Sequence, residues 1–388
     1  MNNVRLQLKH VGQIEDADIE FGDLTVLVGP QATGKSIFLQ FLRLLVDTGY
    51  VIDELRKHGL IWNKDIRHFL DIYLGEGMRD VWRDGDNQSA IIYNGDPIDL
   101  STLIQRRRRT KIESLFFIPA QRVLTLGRGW PRPFSDYVAS DPFSVRDFSE
   151  KIRLLMETGW GRSEGGEIFP QTRRLKNELR KILNRTVFCG FGLRVDTHGA
   201  QKSLVLKAKG TEATLPFMVW SAGQREFVPL LMGFYWLLPP TKVSRRQDIE
   251  WVVIEEPETG LHPNAISAVL LLILDLLARG YRVCLSTHSP HVLDVVWALK
   301  VIREHQAPST RILDIFQTRK TLPMKEMADA ILGKIAKVYY FNRETGCTRD
   351  ISGLDPGSSE VSEAGWGGLS EFSGHVAEVV SKVVNAQS

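Results

Sequence analysis

Cysteine is scarce. Three residues, Cys189, Cys284 and Cys347, are too few and too scattered for a disulfide framework, and they show no metal-type spacing. They point to a reducing compartment. Charge of one sign is also lacking: 49 Lys and Arg stand against 46 Asp and Glu, a formal net charge of +3. The global balance therefore gives no nucleic-acid signal, and any such binding would need a local patch. Long hydrophobic runs are missing too. Residues 227–238 contain Pro229 and end at Pro239-Pro240, and residues 265–278 carry Asp275. Both fall short of the roughly 20 residues a spanning helix needs and are expected to be buried core helices. Met1-Asn2-Asn3-Val4-Arg5 lacks the basic-then-apolar layout of a secretory leader. A cytoplasmic protein without a membrane partner is expected. No internal repeat or sustained heptad appears, which disfavours a coiled-coil arm.

What is present is an ordinary globular composition, 43% apolar. Val4–Leu8 and Ile19–Phe21 alternate as half-buried strands do. Leu24-Thr25-Val26-Leu27-Val28, Leu115-Phe116-Phe117-Ile118, Trp251-Val252-Val253-Ile254 and Arg282-Val283-Cys284-Leu285 are nearly continuous apolar runs. Such runs suit strands buried on both faces. Residues 51–110 are read as helix followed by a short strand pair near Ala90–Tyr93. Residues 122–220 form a middle insertion with a Gly- and Pro-rich loop, a helix near 171–183 and a hairpin at 193–195 and 204–206. A Gly-, Ser- and acid-rich tail follows from Ser352. It leads to a terminal helix with Val376, Val379, Val380 and Val383 on one side, a stripe expected to bury against the protein's own core.

Gly29-Pro30-Gln31-Ala32-Thr33-Gly34-Lys35-Ser36 fits G-x-x-x-x-G-K-[ST], with a buried strand before it and a helix after it. Loop amides can curl around a phosphate only where glycine removes side-chain clashes. The helix N-terminus adds positive partial charge. Lys35 would neutralise phosphate oxygens and Ser36 would hold Mg²⁺. Val252–Glu256 is a buried strand ending in two carboxylates, placed where open α/β sheets bind ligands. Glu255 would bind Mg²⁺ and Glu256 would polarise the attacking water. Ser221-Ala222-Gly223-Gln224 precedes an apolar helix, and a serine hydroxyl at such a helix start suits a γ-phosphate. The same four residues also fit a plain helix cap. Leu285–His288 runs a strand into a histidine that could bond a phosphate oxygen.

Taken in order, these motifs resemble the ABC-type ATPases of the SMC, RecF and overcoming-lysogenization-defect group. Glu255-Glu256-Pro257-Glu258-Thr259-Gly260-Leu261-His262-Pro263 resembles that group's Walker B and D-loop, with Thr259-Gly260 a mild variation. Thr287-His288-Ser289-Pro290 resembles its switch-histidine motif, and Ser221–Gln224 its signature, with Ala222 replacing a glycine. Phe117-Ile118-Pro119-Ala120-Gln121-Arg122 resembles the Q-loop segment, which makes Gln121 a candidate Mg²⁺ and water sensor. The resemblance implies an α/β fold: an ABC-type P-loop head with a mixed, largely parallel core sheet and a helical and β insertion. Residues 1–121 would form an N-lobe, 122–220 the insertion, 221–350 a C-lobe, and 351–388 the tail. ATP and Mg²⁺ are the implied cofactors, and a head-to-tail dimer that brings Ser221 of one copy to the nucleotide of the other is the implied assembly.

The group's nucleases carry a Toprim domain with an acidic metal cluster. The stretch after His288 offers only scattered acids such as Asp350, Asp355 and Glu360. The expectation is therefore an ATPase that regulates a separate effector, a nuclease or a toxin, with anti-phage defence as a setting suggested by the resemblance. A RecF-like DNA-repair ATPase is the alternative. A transporter's nucleotide-binding subunit fits poorly with the Glu-Glu-Pro-Glu strand and the large insertion. Candidate contacts for nucleic acid or for a partner protein are Arg106, Arg107, Arg108, Arg109 and Lys111, with Arg173, Arg174 and Arg180 in the insertion. Each could equally be a solvated face.

Overall fold

A computed structural model describes residues 4–63, 65–85, 87–105, 112–138, 140–160, 166–196, 201–211, 213–239, 245–355 and 357–385. Its centre is a six-stranded sheet in the order Thr348–Asp350, Ala336–Phe341, Leu24–Val28, Arg282–Ser286, Trp251–Glu255, Leu115–Ile118. Five strands are parallel, and Thr348–Asp350 is an antiparallel edge. Leu24–Val28, Leu115–Ile118 and Trp251–Glu255 are buried along their whole length, as their unbroken apolar sequences require.

Side chains leave alternate faces of this sheet and enter two different cores. Leu27, Phe117, Trp251, Val253 and Cys284 face one way. They meet the helix Lys35–Val46, through Phe38, Phe41 and Leu42, and a second, antiparallel sheet of Ile14–Phe21, Val4–Val11, Ala90–Tyr93 and Asp96–Ile98. Val26, Val28, Phe116, Ile118, Val252, Ile254, Val283 and Leu285 face the other way. They meet the helices Phe143–Gly159, Ala222–Leu237 and Pro263–Ala278. Both apolar stretches screened as membrane spans are thus core helices, and among the described residues no helix is long and apolar enough to cross a membrane.

The insertion shares the second core. Its sheet runs Thr214–Pro216, Ser203–Ala208, Phe191–Asp196, Glu167–Phe169, with the expected hairpin at its middle. A buried ionic cluster ties it to the phosphate-loop helix. Arg43 and Lys151 both meet Asp147 and Glu113, and the Tyr50 hydroxyl donates to Asp147 at 2.7 Å.

Two expectations need correction. The helix placed near 171–183 begins only at Asn177, and Arg173 and Arg174 lie in the turn before it. Arg174 is drawn inward: its Nη1 donates to Tyr235 O at 2.5 Å and Leu238 O at 3.0 Å, and its guanidinium lies over Trp160. It satisfies carbonyls that the end of Ala222–Leu237 leaves without helical partners, so it is a strut and not a surface contact. The valine stripe of Glu371–Asn385 is not in the core either. Val376, Val379 and Val380 are 44%, 46% and 55% exposed, and the side chain of Val383 lies outside the described ones.

Candidate active site

The strand register brings the chemistry to one edge. Glu255 pairs with Ser286, and Ser286 with Leu27, so the strands ending at Val28, Glu255 and Ser286 finish side by side. The phosphate loop leaves the first of them. Its backbone is left-handed at Gly29 (φ 139°), Ala32 (φ 59°) and Gly34 (φ 92°). A Cβ on Gly34 would sit 2.6 Å from Ile14 Cγ1, and one on Gly29 2.5 Å from Phe341 O, so both glycines are required by space as well as by φ. Lys35 is 6% exposed and folds back over the loop. Its Nζ donates to Gly29 O at 2.8 Å, Pro30 O at 2.7 Å and Thr33 Oγ1 at 3.2 Å. Burial lowers its pKa to about 8, against the opposing pull of Glu256 and Glu258. The ammonium is thus held by weak neutral acceptors that phosphate oxygens could replace. Gln31, Ala32 and Ser36 are exposed at the mouth of the loop.

Glu255 is 2% exposed. Its Oε2 accepts Ala120 N–H at 3.2 Å, and its Oε1 is buried with no partner. Burial raises its pKa, against the downward pull of the neighbouring Ser36 hydroxyl. A buried, half-satisfied carboxylate with a hydroxyl nearby is a donor set that suits a hard divalent cation, whose charge would offset the burial. Mg²⁺ beside Ser36 and Glu255 therefore fits. Gln121 is exposed one residue beyond Ala120, with no side-chain hydrogen bond to the carboxylates among the described residues.

Glu256 sits at the turn out of the strand in left-handed backbone, φ 42°. Its carboxylate accepts Thr259 Oγ1 at 3.2 Å and lies 3.7 Å from His288 Nε2. Burial and nearby Lys35 lower the His288 pKa, so the ring is neutral at pH 7 and can donate one N–H.

Two residues had no role assigned from the sequence. Arg122 is 0% exposed. It donates to Glu255 O at 3.0 Å, to Glu256 O at 3.1 Å and to Glu226 O at 3.3 Å, and its ion pair with Glu226 measures 4.0 Å. One planar guanidinium thus clamps the backbone of both carboxylates to the helix Ala222–Leu237. Glu258 accepts the His288 amide at 2.6 Å and the Thr287 hydroxyl at 2.8 Å, fixing the histidine's approach. The only signals in the sequence were an arginine beside the Q-loop glutamine and a third carboxylate after Pro257.

Ser221 caps the helix Ala222–Leu237 in a reciprocal box with Gln224, at 3.3 and 3.2 Å. The plain capping reading is therefore met. Ser221 and Ala222 are nonetheless exposed, and among the described residues no hydrogen bond joins Ser221 to the phosphate loop. Behind the cap, a Cβ on Gly223 would stand 3.0 Å from Gly260 O, and Gly260 has φ 72°. Thr259-Gly260 is thus the backbone turn that lets this loop pack on the helix Ala222–Leu237. Arg173 is exposed and Arg180 partly so, whereas Arg106, Arg107, Arg108, Arg109 and Lys111 lie outside the described residues.

Comparison with known proteins finds likenesses in sequence and in structure. The family model described as "AAA domain, putative AbiEii toxin, Type IV TA system" matches residues 121–294. That span takes in Arg122, Ser221–Gln224, Glu255, Glu256 and His288, but not residues 29–36. The OLD nuclease of Thermus scotoductus is 23% identical over 338 residues, covering 77% of this chain and 62% of that relative. Together these likenesses support an ABC-like P-loop ATPase. The chain spans under two thirds of the relative's length. Among solved structures, an SMC head bound to the C-terminal winged helix domain of ScpA is similar at TM-score 0.40 and 12% identity, over 90% of this chain and 97% of that one. The SMC head domain of Thermotoga maritima gives 0.32 at 12%, over 76% and 92%. A dimeric bacterial ABC transporter cassette, MJ0796, gives 0.32 at 12%, over 74% and 89%.

Proposed function

We propose that this chain binds ATP with Mg²⁺ and hydrolyses it. The observation that carries the reading is the convergence at one sheet edge of a buried phosphate-loop lysine, a Ser36–Glu255 pair with an unpartnered buried oxygen, and Glu256 beside a neutral His288. The loop amides and Lys35 would bind the phosphates, Ser36 and Glu255 would hold Mg²⁺, and Gln121 would sense it. Mg²⁺ supplies charge neutralisation at the phosphates. Glu256 takes the proton of the attacking water, and His288 donates to the phosphate oxygen. Glu256→Gln keeps the shape and removes the base. It should still bind ATP while turnover falls by about two orders of magnitude or more. Phosphate release within a few-fold of wild type from this variant would remove Glu256 from the mechanism.

Ser221 points its cap to solvent, away from its own loop's hydrogen bonds, which supports a site completed by a second copy. In that arrangement Ser221, Ala222, Gly223 and Gln224 of one copy meet the nucleotide held by Lys35 of the other. ATP would thereby gate closure of a head-to-tail dimer, and closure would act on a separate effector, a nuclease or a toxin. Anti-phage defence is the setting we favour. The matched family is described by a toxin–antitoxin system and the relative by a nuclease, which supports that assignment.

A further inference from the structure

The capping box at Ser221 leaves half of one side chain over. Such a box asks of its third helical residue an acceptor for the cap's N–H, which is why glutamate serves there as well as glutamine. In Gln224 the Oε1 fills that role, accepting Ser221 N–H at 3.2 Å, while the Gln224 backbone N–H donates to Ser221 Oγ at 3.3 Å. The other half of the carboxamide has no part in the cap. Its Nε2 donates to Val187 O at 3.3 Å, across 37 residues of chain and into the insertion. Val187 belongs to a π-helical turn, Asn184–Phe188, which closes the helix Asn177–Leu183 and stops at Cys189 in left-handed backbone, φ 49°. Carbonyls in a last helical turn lack helical donors, and the carboxamide supplies one. The next residue holds the same turn by packing. Phe188 is fully buried, stacked on Phe169 of the insertion's sheet at 4.1 Å and edge-on to Phe227 at 5.9 Å. Gln224 and Phe227, three residues apart, share one face of their helix, and both meet the turn.

We infer, on the proposed reading of Ser221 as part of a shared nucleotide site, that Gln224 is a positioning residue that ties Ser221 to the insertion's π-helical turn. The two shift together, and the insertion thereby sets the rate of turnover. Both halves of the carboxamide are engaged, one on the cap and one on the turn. Movement of the turn along the helix must therefore stretch one of these bonds or carry the Ser221 backbone with it. Ser221 has little else to hold it. Among the described residues its N–H and its hydroxyl hydrogen-bond to Gln224 alone. The Phe188–Phe227 contact keeps the turn against the helix, and the carboxamide extends that contact by one helical turn to the cap.

The test is Gln224→Glu in the full chain. The carboxylate keeps an acceptor for Ser221 N–H and sets its second oxygen against Val187 O. Steady-state phosphate release at neutral pH should show kcat lowered by about three- to tenfold, the scale of one neutral hydrogen bond, with KM for ATP within about twofold. The melting temperature should stay close to that of wild type, because the cap is intact. Protonation restores the donor, since a carboxylic acid offers one acceptor and one O–H as the carboxamide offers one acceptor and an N–H. Turnover of the variant, as a fraction of wild type at the same pH, should therefore rise as pH falls toward the carboxyl range of about 4.3 and above. Hydrogen exchange without nucleotide reads the tie directly: amides of residues 184–190 should exchange severalfold faster in the variant, while those of 226–237 keep their protection. Either a kcat within about twofold of wild type or unaltered exchange at 184–190 overturns the inference. So does a rise in KM at unchanged kcat, which would make Gln224 a direct nucleotide contact, and so does a loss of turnover that is the same fraction of wild type at every pH. Absence of turnover in the wild-type protein would count against the proposed hydrolysis, and the exchange comparison would then decide the tie by itself.

Discussion

Arg122 offers the sharpest test of how the site is held together. Replacing it with lysine keeps the charge and most of the volume but removes the planar fork. One ammonium cannot span three carbonyls that belong to two different elements, those of Glu226, Glu255 and Glu256 at 3.0 to 3.3 Å. Each hydrogen bond from a charged donor contributes about 1.5–3 kcal/mol net. Suppose one such bond, to the backbone of Glu256, is lost and the water-orienting carboxylate is held less well in the transition state. At 1.36 kcal/mol per tenfold, kcat then falls by about 10- to 100-fold. The KM for ATP should move little, because in the proposed site Lys35 and the loop, not Arg122, grip the phosphates. Steady-state phosphate release and a thermal melt, measured on the same preparation, read both quantities. A kcat within about twofold of wild type, or a large rise in KM at unchanged kcat, would refute the clamp. Arg122→Ala is the harsher variant. It orphans three acceptors at about 1–3 kcal/mol each, comparable with a domain's whole stability, and is expected to fold poorly.

Nucleotide affinity should depend on pH through Lys35. Its pKa is lowered to about 8 in the nucleotide-free protein. Below pH 8 the ammonium already exists, whereas above it ATP binding must take up a proton, and affinity should fall by at most about tenfold per pH unit. Titration calorimetry in two buffers of different ionisation heat reads that uptake, and its absence at pH 9 would contradict the burial of Lys35. The sign for stability is the reverse. The unfolded chain holds this proton up to an ordinary value of 10.5, so between about 8 and 10.5 the nucleotide-free fold gains stability from this group as pH rises. For the shared site, mixing Lys35→Ala with Ser221→Arg protein should restore part of the turnover that each variant lacks alone, since a mixed dimer keeps one intact composite site. No recovery, with the ATP-bound Glu256→Gln protein sedimenting as a monomer, would defeat the dimer.

Much of this architecture could be read before the structure. The unbroken runs at Leu24–Val28, Leu115–Ile118 and Trp251–Glu255 announce strands with both faces covered, because each is only four or five residues long, too short for a buried helix. The phosphate loop and the carboxylate strand were legible because their chemistry is local, each carried by contiguous residues. Arg122 and Glu258 were not, because their roles exist only when segments over a hundred or some thirty residues away fold onto them. Arg174 was misread for a related reason. A basic residue looks like surface until a helix end presents it with bare carbonyls. The terminal valines were misread in the opposite sense, since periodicity predicts an apolar face but not what covers it.

Glu256 has one more consequence. A β-carbon at φ 42° makes this position less comfortable for glutamate than for glycine, by about 1 kcal/mol or somewhat more. The fold would rest more easily with Glu256→Gly, and the hydrolysis we propose would then have no base. Selection for heat resistance alone should therefore enrich inactive chains at this position. If Glu256 is the base we propose, a thermal ranking of variants at residue 256 would run opposite to their ranking by turnover, and a single backbone torsion would set the two against each other.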